Sequence, residues 1–355
     1  MVSIVVIHSW YVFGSDKSKF DLALVTPFKF ATIGFFLISG FLLGERVDRR
    51  SPVEYFVRRF RRVFVPWSFW FGIMCAGLVV YQLAGHGVGH SNLGELLWMA
   101  FTTSRSTLYD TAFWFVPNLL LCIAILLMCR RYLYSLKLGL VLLACNLAYV
   151  ANLYALWFPT THTRARLGFV FYLWLGSYAA HNFEKVSKVL ARIPVAVFVA
   201  TSLITGIASY WESHLLGALS GTDPLNTLRL SNQAFSISMV LLIFKFSRAT
   251  WPRFIDVRRH TFGLYLTHSL VLQFFLHTFK YMRLGSSYAG EVEGVLLWLA
   301  VSVATYCCCL TVTIWLANRP SLQWMVGLTS LDAPSRPSVN VSGARGLSAF
   351  LVNNS

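Results

Sequence analysis

Two histidines stand where an apolar sequence has no obvious use for them. His8 lies in VVIHSWYVFG (residues 5–14), and His268 lies in FGLYLTHSLVL (residues 262–272), three positions after Tyr265. A neutral imidazole can take a proton from a hydroxyl at working pH. Ionisable groups inside apolar spans are costly and are often functional; the plainer alternative is a histidine hydrogen-bonded between helices. Tyr265 and His268 share one helical face. So do Arg59 and Arg62 in VRRFRR, where two guanidiniums can grip a phosphate bidentately or anchor the chain to anionic lipid. GFFLISGFLL (residues 34–43) sets Gly34, Ser39 and Gly40 among bulky residues, a pattern for close helix packing. FWFVPNLLL places Trp114 near an expected outer boundary, where aromatic belts form. His86 and His90 in HGVGH have no acidic or cysteine ligand close by, so no metal site is expected there. A GxSxG elbow is absent, and no Ser-His-Asp arrangement is visible.

These residues need a scaffold, and composition says which kind. Of 355 residues, 56% are hydrophobic and only 12% charged, against about 25% charged in soluble domains. Ten apolar segments recur, at about 1–14, 27–44, 63–84, 112–129, 136–157, 168–181, 193–211, 228–246, 260–279 and 293–317. An all-α integral membrane protein of about ten transmembrane helices is expected. The excess of 30 Lys+Arg over 14 Asp+Glu could serve nucleic acid, but its placement fits loops of a polytopic protein. Alternate loops and the tail on one side hold 21 basic residues against nine on the other, which puts both termini in the cytoplasm. Ser51, Pro52 and Glu54 read as a helix start, and a short basic interfacial helix is expected near residues 52–62, with Pro66 marking entry to the next span. Seven cysteines, three of them adjacent at 307–309, form neither a disulfide framework nor a metal spacing. The first segment would reach only about 21 Å at 1.5 Å per residue, short of a core of about 30 Å, so its true start is expected upstream of Met1. Residues 318–355, rich in Ser, Pro, Gly and Asn, read as a disordered cytoplasmic tail, where the sequon at Asn340 has little meaning.

The order of the motifs says more than any one alone. A histidine in the first span, then FFLISGFLL, VRRFRRVFVPWSFW, FWFVPNLLL and late FGLYLTHSLVL resembles the type-3 membrane acyltransferase family over about residues 1–317. The resemblance implies O-acylation, most often O-acetylation, of cell-envelope and exported polysaccharides or other glycosides, and an inner-membrane location is expected. It implies that His8 is the catalytic histidine and that Arg59 and Arg62 meet the acyl-CoA donor. Ser39, Gly40, Trp114, Tyr265 and His268 take supporting places. Acetyl-CoA would be a donor substrate, with no bound cofactor or metal and no nucleic acid; membrane lipids, a saccharide or lipid-linked glycan acceptor and polysaccharide assembly proteins are the expected partners. The family's basic residue about eleven positions before the histidine would fall before Met1, which again fits a truncated first helix. A flippase for a lipid-linked sugar is the rival from another class; it would favour an inverted repeat, and none is legible. An inactive scaffold of a polysaccharide assembly complex is the second rival.

Overall fold

The computed structural model describes residues 1–13, 23–47, 51–86, 92–158, 161, 163, 165–219, 223–246, 257–281 and 291–328. Among them every regular element is helical. The α-helices are α1 (Val2–Phe13), α2 (Ala31–Gly44), α3 (Pro52–His86), α4 (Leu93–Asp110), α5 (Phe115–Met128), α6 (Leu136–Ala155), α7 (Val170–His181), α8 (Phe183–Arg192), α9 (Val195–Gly217), α10 (Leu230–Lys245), α11 (Val257–Tyr281) and α12 (Glu291–Ala317).

A helix stands at each of the ten apolar segments. Five spans are long and apolar enough by themselves to cross a membrane: Ala23–Gly44, Pro52–Ala84, Leu136–Ala155, Val195–Gly217 and Glu293–Ala317. A sixth arises if α4 and α5, which meet at 77°, count as one broken span. Helices α7 and α10, of 12 and 16 residues, reach about 18–24 Å. That is below the roughly 30 Å of a hydrocarbon core.

Four local readings change. The basic segment at 52–62 is no separate element, because α3 runs unbroken for 35 residues with Pro66 inside it. Proline deprives only the carbonyl four residues back of its partner; here that is Arg62. Helix α4 replaces part of an expected loop. Its polar run TTSR hides it from a hydropathy reading, but a cap marks its start: Asn92 Oδ1 accepts from the Glu95 amide at 2.9 Å. Helix α8 likewise replaces a loop, as a one-sided basic amphipath. Residues 318–328 are folded, although their composition groups them with the tail. Trp70 Nε1 donates to Met325 O at 2.8 Å, and Trp324 meets Phe69 edge-on at 5.2 Å. Gly327 has φ +75°, and a Cβ there would lie 2.9 Å from the Arg62 carbonyl oxygen, so only glycine suits this corner. The rest of the tail, with Asn340, lies outside the described residues, as do Lys17, Arg283 and His90.

Small residues bring the bundle together. Helices α2 and α7 meet backbone to backbone: a Cβ at Gly40 would lie 2.0 Å from Leu173 O, and one at Gly176 2.1 Å from Leu37 O. Ser177 Oγ donates to Gly40 O across this crossing at 2.9 Å. Helices α9 and α10 are pinned at one end by Glu212. Its carboxylate accepts from the amides of Leu230 (3.1 Å) and Ser231 (2.9 Å) and from the hydroxyls of Ser231 and Tyr154. This satisfies the orphan donors at the start of α10. Fully buried Arg229 donates to Ser209 O at 2.6 Å and Asn226 O at 3.1 Å. Helix α1 is held against α12 by Trp298 Nε1, which donates to Val6 O at 2.8 Å, and by the Ser9–Ser302 hydroxyl pair. It also packs on α11.

Candidate active site at a broken helix

The packing of α1 on α11 brings the two intramembrane histidines together. The rings of His8 and His268 lie 5.2 Å apart between centroids, tilted by 55°. His8 is half-buried and His268 is fully buried. His268 Nδ1 is 2.6 Å from the carbonyl oxygen of Tyr265, one turn back on α11. A carbonyl only accepts, so in the neutral ring Nδ1 carries the proton and Nε2 keeps a lone pair.

Tyr265 reaches a third element. Its hydroxyl donates to Ala112 O at 2.6 Å and accepts from the Val116 amide. Ala112 opens the 3-10 turn Ala112–Trp114, the corner between α4 and α5. Trp67 of α3 donates its indole N–H to the next carbonyl, Phe113 O, at 3.0 Å. Thus side chains from α11 and α3 satisfy the backbone at the break. Irregular backbone at membrane depth is tolerated only when it is buried in protein or lines a cavity. Tyr265→Phe is expected to lower stability in detergent by about 0.5–1.5 kcal/mol, because it removes one hydrogen bond to the Ala112 carbonyl and leaves that oxygen with the Phe115 amide. A thermal unfolding midpoint equal to wild type would remove that role.

Aromatic rings close the space around the turn. Tyr265 lies 5.6 Å from Phe115, Phe115 5.0 Å from Phe36, and Phe36 stacks on Phe169 at 4.7 Å. Trp114 joins them 5.5 Å from Phe169 and is only 7% exposed. It is therefore a core residue at the break and not part of a boundary belt: the 77° corner turns it inward.

The arginine pair sits elsewhere, on the first turns of α3. Glu54 pairs with Arg58 at 2.9 Å, one position away from the pair. Arg59 has Tyr55, Arg46 and Arg62 as electrostatic neighbours, and its Nε is buried with no hydrogen-bond partner among the described residues. Two arginines beside a third concentrate positive potential, a setting that favours an anion. From Arg59 to Trp67, which touches the break, is eight residues or about 12 Å along one helix. Ser39 and Gly40 belong to neither cluster. Gly40 makes the α2–α7 crossing, and Ser39 is half-buried beside it.

Two features of this site, Trp67 and the helix break, carry little sequence signal. Trp67 is one of many tryptophans. The break itself shows only in Thr111, whose hydroxyl accepts from the Phe113 amide at 3.3 Å, and in Pro117 within the first turn of α5.

A family model described as an acyltransferase domain matches residues 1–314, from before His8 into the last turn of α12. The chain belongs to the type-3 acyltransferase family. No curated protein and no solved structure matches it. The paired histidines, the break and the arginine cluster are thus features of a membrane acyltransferase, and the matched region takes in all of them.

Proposed function

We propose that this acyltransferase moves an acetyl group from acetyl-CoA to a hydroxyl of a cell-surface or exported polysaccharide or of a lipid-linked saccharide. The observation that carries the reading is a half-buried histidine, His8, set against His268 beside a broken helix, in a chain of this family. His8 serves as general base. It takes the proton of the acceptor hydroxyl as that oxygen attacks the thioester carbonyl carbon; the C–S bond breaks, and the thiolate of coenzyme A receives the proton from His8. Arg59 and Arg62 hold the phosphates of the donor through charge-assisted hydrogen bonds.

In this reading the chain crosses an inner membrane ten times with both termini in the cytoplasm, following the distribution of basic loops. The arginine cluster then faces the side where acyl-CoA is found. The acceptor comes from the other side, and the acyl group passes through the bundle. Membrane lipids surround it, and polysaccharide assembly proteins are fitting neighbours.

The test uses membranes carrying the chain, supplied with acetyl-labelled acetyl-CoA and followed for label in base-labile esters on extracted glycans. Label above that of membranes lacking the chain is expected. Its absence from properly inserted protein would move the weight to a flippase or a scaffold. In the same assay Arg59→Ala with Arg62→Ala is expected to raise the apparent KM for acetyl-CoA by about tenfold or more. Poor insertion with an unchanged KM in the inserted fraction would instead assign the arginines to lipid anchoring.

A further inference from the structure

We infer that His268 is a positioning residue for His8: its Nε2 lone pair accepts the ring N–H of His8 and so fixes which nitrogen of His8 faces the acceptor hydroxyl. The inference rests on the reading of His8 as the base, and three observations carry it. First, the Tyr265 carbonyl, 2.6 Å from Nδ1, makes that nitrogen the donor and leaves Nε2 as the acceptor. Second, Nε2 is buried and has no hydrogen-bond partner among the described residues. A buried acceptor left unmatched is costly, and His268 itself is fully buried, so water does not supply the missing donor.

Third, the polar ring nearest in space is His8, at 5.2 Å between centroids. Tyr265 lies 5.8 Å away, but its hydroxyl is committed to Ala112. With ring atoms about 1.1–1.2 Å from each centroid, nitrogens of His8 and His268 can approach to about 2.9 Å by ring rotation alone, which is hydrogen-bond distance. An N–H of His8 given to His268 leaves the other nitrogen of His8 unprotonated, which is the form a general base needs. The chain Tyr265 O, His268 and His8 then sets one tautomer after another.

The experiment compares His268→Gln with His268→Leu. The glutamine side-chain oxygen can accept from His8, whereas leucine fills similar space without an acceptor. Leucine is expected to lower kcat about 10–100-fold, with the KM for acetyl-CoA unchanged, and glutamine to restore most of the rate. Equal rates in wild type and His268→Leu would overturn the inference. Equal losses in both variants would overturn it too, since packing alone would then explain them.

A second readout does not need activity. In protein carrying 15N-labelled histidine, the His268 Nε2 resonance is assigned by its loss in His268→Gln. It is expected at an unprotonated, hydrogen-bonded position, and to shift when His8 is replaced by alanine. A shift without any transfer activity would retain the histidine pair and discard the acetyltransferase reading. An unmoved resonance would discard the pair.

Discussion

His8→Ala is expected to lower acyl transfer by about 10²–10⁴-fold, the usual worth of a positioned general base. The prediction is specific because α1 does not rely on His8 to stay in place. Trp298 holds the Val6 carbonyl at 2.8 Å, Ser9 pairs with Ser302, and Trp10 meets Trp298 edge-on at 5.4 Å. Those contacts to α12 survive the substitution. His8 is half-buried, so truncation opens little closed volume. The measurement is the transfer rate at saturating acetyl-CoA, with insertion and monodispersity followed in parallel. A His8→Ala protein that inserts normally and transfers at the wild-type rate would end the case for His8 as base.

Gly40→Ala is expected to have the largest effect on folding. The added Cβ would lie 2.0 Å from Leu173 O, 2.8 Å from Leu173 C and 2.9 Å from Leu173 Cα. All three are backbone atoms, so no side chain can turn aside. Helices α2 and α7 must separate, and the bond from Ser177 to Gly40 O is lost with the contact. Overpacking a core that can adjust costs about 1–3 kcal/mol; one that meets rigid backbone costs more. Gly176→Ala meets Leu37 O at 2.1 Å from the other side of the same crossing and should behave alike. Gly72 on α3 supplies the contrast, with nothing within 4 Å of its Cβ position. Gly72→Ala should be neutral or stabilising by about 0.5–1 kcal/mol through helix propensity. Recovery of monodisperse protein in detergent and its thermal midpoint read both. A Gly40→Ala protein as stable as wild type would show that the crossing is not closely packed.

Much of this was legible before any coordinates. Low charge and recurring apolar runs dictate a helical membrane protein, because a bilayer leaves backbone polar groups no partner outside a helix or a closed barrel. The small residues Gly34, Ser39 and Gly40 announce a helix contact, because only small side chains let two backbones approach. The order of His8, FFLISGFLL, VRRFRR and YLTH announces the family, which the match over residues 1–314 bears out.

Other features are properties of neighbours and could not be read along the chain. Helix α4 is amphipathic and polar, so its place depends on the corner at Ala112. Trp114 reads as a belt residue until that corner turns it into the core. Residues 318–328 have the composition of a tail but find Trp70 and Phe69 waiting on α3.

The candidate site divides in the same way. By itself the sequence determined that there are two intramembrane histidines and one helical face of arginines, because residue type and a period of 3.6 are local facts. Only the tertiary structure decided that His8 faces His268 and that Tyr265 hydrogen-bonds the helix break. Those contacts join residues up to 260 positions apart, such as His8 and His268, and they follow from how whole helices pack.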